Sequence, residues 1–155
     1  EWIRSVWPGK LVIKGILTPE DGQRMVAVGA DGLVVSNHGG RQLDKAPVSI
    51  QALPALREAV GDATELILDS GVLRGSDIIA ALGLGADFVL IGRAYLYGLM
   101  AGGEQGVQRV ISILEQELRT TMTLMGIGSV AELKTGGQVR PRWSLTEQAG
   151  ESFFA

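Results

Sequence analysis

Four short apolar runs punctuate the chain, at 11–14, 33–36, 66–69 and 88–92. Each is four or five residues long and mainly aliphatic, the pattern of strands covered on both faces. Between them, apolar positions recur at helical spacing over 19–28, 49–60 and 76–84. Thr18 is placed to cap the first of these helices, and each closes near a glycine. Strand followed by helix, repeated, predicts parallel β/α units. Val107, Val110, Ile111, Leu114, Leu118, Met122 and Met125 then predict a core-facing helix over 104–125. Ser129 and Glu132 have capping-box spacing and predict one more short helix. The opening residues 2–7 read as the last turns of a helix, stopped ahead of Pro8. From 136 onward Gly, Pro, Gln, Arg and Ser prevail, and an irregular tail over 136–155 is expected despite Trp143, Phe153 and Phe154.

Four β/α units are half of an eight-stranded barrel, a fold that usually takes about 250 residues. With 155 residues and a first residue, Glu1, that is not methionine, the chain reads as an α/β segment that starts mid-protein. The expected fold is the C-terminal half, strands 5 to 8, of a TIM (β/α)8 barrel over 1–135. An open half-barrel leaves two sheet edges bare. A partner is therefore expected, the N-terminal half of the same barrel.

Composition narrows the functions. Hydrophobic residues make up 46% of the chain and charged ones 20%, values of a globular segment with ample core material. Net charge is −3 and the basic residues are dispersed, so neither nucleic acid nor an anionic membrane surface is an expected partner of these residues. The absence of cysteine excludes disulfides and thiolate chemistry and fits a cytoplasmic setting. A single histidine argues against a zinc site. No run approaches the roughly 18 apolar residues of a membrane span, and no secretion signal opens the chain.

That single histidine lies in Ser36-Asn37-His38-Gly39-Gly40-Arg41-Gln42-Leu43-Asp44, directly after a strand. A lone histidine is more often structural than catalytic, but the two glycines that follow leave the ring uncovered and let the backbone approach a ligand. His38 brings a group that exchanges protons near neutral pH. Arg41 brings a planar cation that grips a carboxylate through two parallel hydrogen bonds. Together they are suited to oxidising a small 2-hydroxy acid. In a β/α barrel the reactive groups collect at the C-terminal ends of the strands, where Lys14, Asp69 and Gly92-Arg93 also fall. Lys14 must face solvent, as a snorkelling surface residue, or a bound anion. The turns Asp69-Ser70-Gly71 and Arg74-Gly75-Ser76, with Gly92-Arg93, offer backbone N–H groups and guanidinium to phosphate or ribityl oxygens. Collectively they point to a phosphorylated cofactor.

Val12-Ile13-Lys14-Gly15, the stretch from Ser36 to Asp44, Asp69-Ser70-Gly71 with Arg74-Gly75, and Leu84-Gly85-Ala86-Asp87 leading to Ile91-Gly92-Arg93-Ala94 resemble the FMN-dependent 2-hydroxy acid dehydrogenase and oxidase family. The resemblance runs from Trp2 to about Leu133. Trp7-Pro8, Asp69-Ser70-Gly71 and Met122-Thr123-Leu124 are most similar to the bacterial L-lactate and (S)-mandelate dehydrogenases of that family. The resemblance implies FMN as cofactor, His38 as the base, Arg41 as the clamp on the substrate carboxylate, and Lys14 beside the flavin N1 and C2 carbonyl. It implies further that Ser36 contacts the isoalloxazine, Asp69 the ribityl chain, and Gly71, Arg74, Gly92 and Arg93 the phosphate. Ser70 and Leu73 depart from the pattern, standing where many relatives carry glycine and arginine. The resemblance also implies an electron acceptor such as a quinone, a homo-oligomer, and peripheral attachment to the cytoplasmic membrane through a segment upstream of Glu1. Two alternatives stay open: a non-catalytic FMN-binding fragment of such an enzyme, and a different FMN or phosphate-binding barrel. Hydride and carbanion routes are not distinguished, nor lactate from mandelate.

Overall fold

The computed structural model describes residues 2–135 and 137–141. Its centre is a parallel four-stranded sheet, β1 (Val12–Ile16), β2 (Gly32–Val35), β3 (Glu65–Leu68) and β4 (Phe88–Val89), in that spatial order. Helix α1 (Trp2–Val6) precedes it, and α2 (Pro19–Ala27), α3 (Ser49–Val60) and α4 (Gly75–Gly83) form the crossovers. The chain ends in α5 (Arg93–Met125) and α6 (Val130–Thr135). The anticipated caps form: Thr18 Oγ1 accepts the Asp21 N–H, and Ser129 Oγ accepts that of Glu132.

Strand pairing fixes which side chains share a face. Leu33 and Leu66 stand in one row and Val35 and Leu68 in the next. All four are buried with Leu53, Leu56, Val60 and Ala81 from the crossover helices in the main core. A second core joins Ile79 and Leu82 of α4 to Ile127 and Leu133. The opposite sheet face carries Val12, Lys14, Val34, Ile67 and Phe88. There the expectation of two covered faces holds for β2, which is buried throughout, but not for its neighbours. Val12 is 49% exposed and Phe88 61%, because all three crossover helices lie on the other side.

Three boundaries differ from expectation by more than one residue. The first strand runs to Ile16 rather than Lys14, through a bulge at Gly15, whose φ of 101° is open to glycine. The fourth is shortened to two residues. Leu90 still donates to the Leu68 carbonyl, but Gly92 then turns the chain into a helix. That helix, α5, starts at Arg93 rather than 104 and breaks at Gly102 and Gly103. Of the irregular tail expected over 136–155, residues 137–141 form no regular element and the others lie outside the described residues.

Candidate active site

The C-terminal ends of the strands open into one cleft of about 440 Å³, lined among others by Lys14, His38, Arg41, Asp69, Gly92 and Arg93. They arrive from the ends of all four strands, His38 with Arg41 and Gly92 with Arg93. Lys14 precedes the β1 bulge, and its ammonium pairs with the Asp69 carboxylate just beyond β3. The loop after β2 is held by side-chain caps: Asn37 Oδ1 accepts the Gly39 N–H at 3.0 Å, and Asn37 Nδ2 donates to the Pro47 carbonyl at 3.2 Å. Buried Ser49 accepts the Asn37 N–H, tying the same loop to the start of α3. His38 is thereby held at a φ of 54°, a conformation that residues other than glycine seldom adopt. Its Nε2 faces Gly15, where a Cβ would come within 2.8 Å.

Ser36 lies behind the cleft. Fully buried, its Oγ donates to Asp69 Oδ2 at 2.8 Å and accepts the His38 N–H at 3.0 Å. Burial pushes the Asp69 carboxyl up. Hydrogen bonds from Lys14, Ser36 and the Ser70 N–H, with the Lys14 charge, outweigh it and hold Asp69 below the usual carboxylate range. On the same cleft, Arg93 opens α5 and donates to the Gly39 carbonyl. A Cβ on Gly71 or Gly92 would meet nothing within 4 Å, so their backbone is open to whatever occupies the cleft. Bare glycine backbone beside a guanidinium at a helix N-terminus is a donor set that fits a phosphate. The Arg41 guanidinium makes no ion pair among the described residues.

The structure thus brings together Lys14, His38, Arg41, Asp69, Gly71, Gly92 and Arg93, with Ser36 in support. Arg74 is the exception. The Asp77 carboxylate accepts both the Leu73 and Arg74 N–H groups. In the loop so folded, Leu73 lines the cleft, while Arg74 lines a separate depression with Gln116, Glu117 and Thr120. Gln42, Leu73 and Leu96 also line the cleft, with no signal of a site in residue type or spacing. Ser70 Oγ, in addition, accepts the Gly39 N–H. Ser70 was visible as a departure from the family pattern, whereas Leu96 lay in a helix the periodicity did not predict.

A family model for FMN-dependent dehydrogenases matches residues 1–140. The chain belongs to that family. L-lactate dehydrogenase of Xanthomonas campestris pv. campestris is 53% identical over 133 residues, 86% of this chain and 34% of the relative. That of Chromohalobacter salexigens is 51% identical over the same shares. The chain therefore spans about a third of the length of these curated relatives. Among solved structures, a mandelate oxidase variant with a monooxide FMN adduct superposes with a TM-score of 0.82 at 41% identity, over 86% of this chain and 42% of the other. A monotopic membrane protein, (S)-mandelate dehydrogenase, gives 0.81 at 46%, over 85% and 35%. A cleft lined by both a lysine and a phosphate-type donor set is in keeping with an FMN-dependent family. Among the described residues no acidic or histidine cluster could hold a metal ion.

Proposed function

We propose that this chain forms the C-terminal half, strands 5 to 8, of a (β/α)8 barrel that oxidises an L-2-hydroxy acid of lactate or mandelate type to the 2-oxo acid with FMN. The observation that carries the reading is the convergence of Lys14, His38, Arg41, Asp69, Gly92 and Arg93 on one cleft. The half-barrel is supported by the parallel order of the strands, the helices confined to one face, and the exposed Val12 and Phe88 on the other.

Bound FMN supplies the acceptor of the substrate's two electrons. Gly71, Gly92 and Arg93 hold its phosphate, Asp69 the ribityl chain, and Lys14 lies at the flavin edge where negative charge grows. Arg41 fixes the substrate carboxylate through paired N–H donors, which sets the hydroxyl-bearing carbon toward His38. The neutral His38 imidazole takes the departing proton. The ordered loop from Asn37 to Ser49 spares it a search for position. An electron acceptor such as a quinone, homo-oligomerisation and peripheral membrane attachment belong to the same reading, the last supported by the monotopic (S)-mandelate dehydrogenase. Among the described residues no helix is long and apolar enough to cross a membrane.

The visible spectrum of the FMN-loaded protein, taken before and after anaerobic L-lactate and L-mandelate, tests this. Bleaching by either acid is expected, with the faster one naming the substrate, and His38→Gln should slow it at least a hundredfold. Flavin that binds but stays oxidised with both acids would make the chain a cofactor-binding fragment. Undiminished bleaching in His38→Gln would remove the histidine from its role.

A further inference from the structure

The ion pair at the strand ends has an unequal geometry. Both side chains line the cleft, but that of Lys14 is 43% exposed and that of Asp69 only 15%. Both Lys14 and Ser36 donate to one oxygen of the carboxylate, Asp69 Oδ2. Ser36 Oγ in turn accepts the His38 N–H. The lysine thus never faces a ligand as a bare unit charge, since a carboxylate in contact with it subtracts from its field at every point of the cleft. How much is subtracted depends on how far the Ser36 hydroxyl already satisfies that carboxylate.

We propose that Asp69 acts as a counter-charge that sets how strongly Lys14 attracts negative charge on the bound flavin, with Ser36 adjusting Asp69 from behind. Asp69 is then a positioning residue working through Lys14, beyond any contact of its own with the ribityl chain. The inference rests on the flavin reading given above. It predicts effects of opposite sign from two neighbouring substitutions. Asp69→Asn removes the counter-charge and exposes the full lysine charge. Ser36→Ala removes a donor from Asp69, leaving more of the carboxylate's charge to cancel that of Lys14.

Sulfite is a suitable probe because its lone pair forms an S–N bond to the flavin, the ring taking up the pair and the negative charge with no other reactant. In the FMN-loaded protein, Asp69→Asn should bind sulfite about tenfold more tightly. Its two-electron midpoint potential should rise by about 30 mV, the equivalent of that factor. Ser36→Ala should weaken sulfite binding about threefold. General damage to the site would move both variants in the same direction, and that result would overturn the proposal. So would unchanged or weaker sulfite binding in an Asp69→Asn protein saturated with FMN, or a failure of that variant to take up FMN even in excess, since cofactor retention would then be all that Asp69 serves. A wild-type protein that takes up no FMN would instead overturn the flavin reading on which the proposal stands.

Discussion

A side chain at position 15 would have nowhere to go. Its Cβ would stand 2.8 Å from His38 Nε2, on a backbone whose φ of 101° already disfavours it. Gly15→Ala is therefore expected to cost about 1–3 kcal/mol of stability and to push the imidazole off its position. In the flavin-loaded protein, turnover should drop more than tenfold. Gly29→Ala separates the two effects. Its φ of 86° carries the same backbone strain, but its Cβ would meet only Arg4 Cδ and Cγ, at 3.3 and 4.0 Å, and no residue of the cleft. Comparable melting losses with turnover impaired only in Gly15→Ala are expected, and equal turnover would release His38 from dependence on Gly15. Residues of this kind divide what was legible from what was not. His38, Arg41, Lys14 and Asp69 announced themselves through charged or polar chemistry at the ends of apolar runs. That Leu73 rather than Arg74 lines the cleft depends on where the Asp77 carboxylate finds its two donors, and neither residue type nor spacing encodes that.

Among the elements, the crossover helices were legible because caps and apolar spacing agreed, and α3 spans 49–60 as expected. The opening of α5 was not, since Gly98, Gly102 and Gly103 are poor helix formers. Packing explains Gly98. The helix breaks at Gly102 and Gly103, and its two segments then approach so closely that a Cβ on Gly106 would fall 1.9 Å from the Gly98 carbonyl oxygen. Because the obstacle is backbone, no rotamer change relieves it. Gly106→Ala should destabilise by about 1–3 kcal/mol, even though alanine is the better helix former by about 1 kcal/mol. A Cβ on Gly102 would meet nothing within 4 Å and its φ of −162° lies outside the left-handed region that favours glycine. Gly102→Ala should thus stay within about 0.5 kcal/mol of the parent. Denaturant melts of the pair test the packing directly, and similar midpoints would mean that the two segments are free to separate.

Across the molecule, three aspartates fasten elements distant in sequence, and all three are held below the usual range. Asp31 receives Lys10, the Leu11 N–H and Arg4, joining α1 and the approach to β1 to the start of β2. Asp69 joins the C-terminal ends of β1, β2 and β3. Asp87 receives Lys134 of α6, the Leu66 N–H of β3 and Arg57 of α3. Burial raises the Asp87 carboxyl, but those partners more than offset it. For Asp31 the hydrogen bonds from Lys10 and Leu11 dominate and bring it from 3.8 to about 2. A carboxylate whose folded pKa lies below its unfolded one binds fewer protons when folded. Its contribution is thus complete above the unfolded value and lost as pH falls toward the folded one. For Asp31 that window runs from about 3.8 down to about 2. Melting temperature should accordingly fall steeply on acidification through this range. Asp31→Asn should melt lower than the parent at neutral pH, since it gives up the charged partner of Arg4 and Lys10, yet lose less on acidification. The two curves are expected to converge as pH falls toward and below about 2, where the parent's own carboxylate takes up its proton. Curves that stay parallel from neutral pH to pH 2 would mean that Asp31 titrates alike in the folded and unfolded chain. The fastening at the N-terminal end of the sheet would then not depend on its charge.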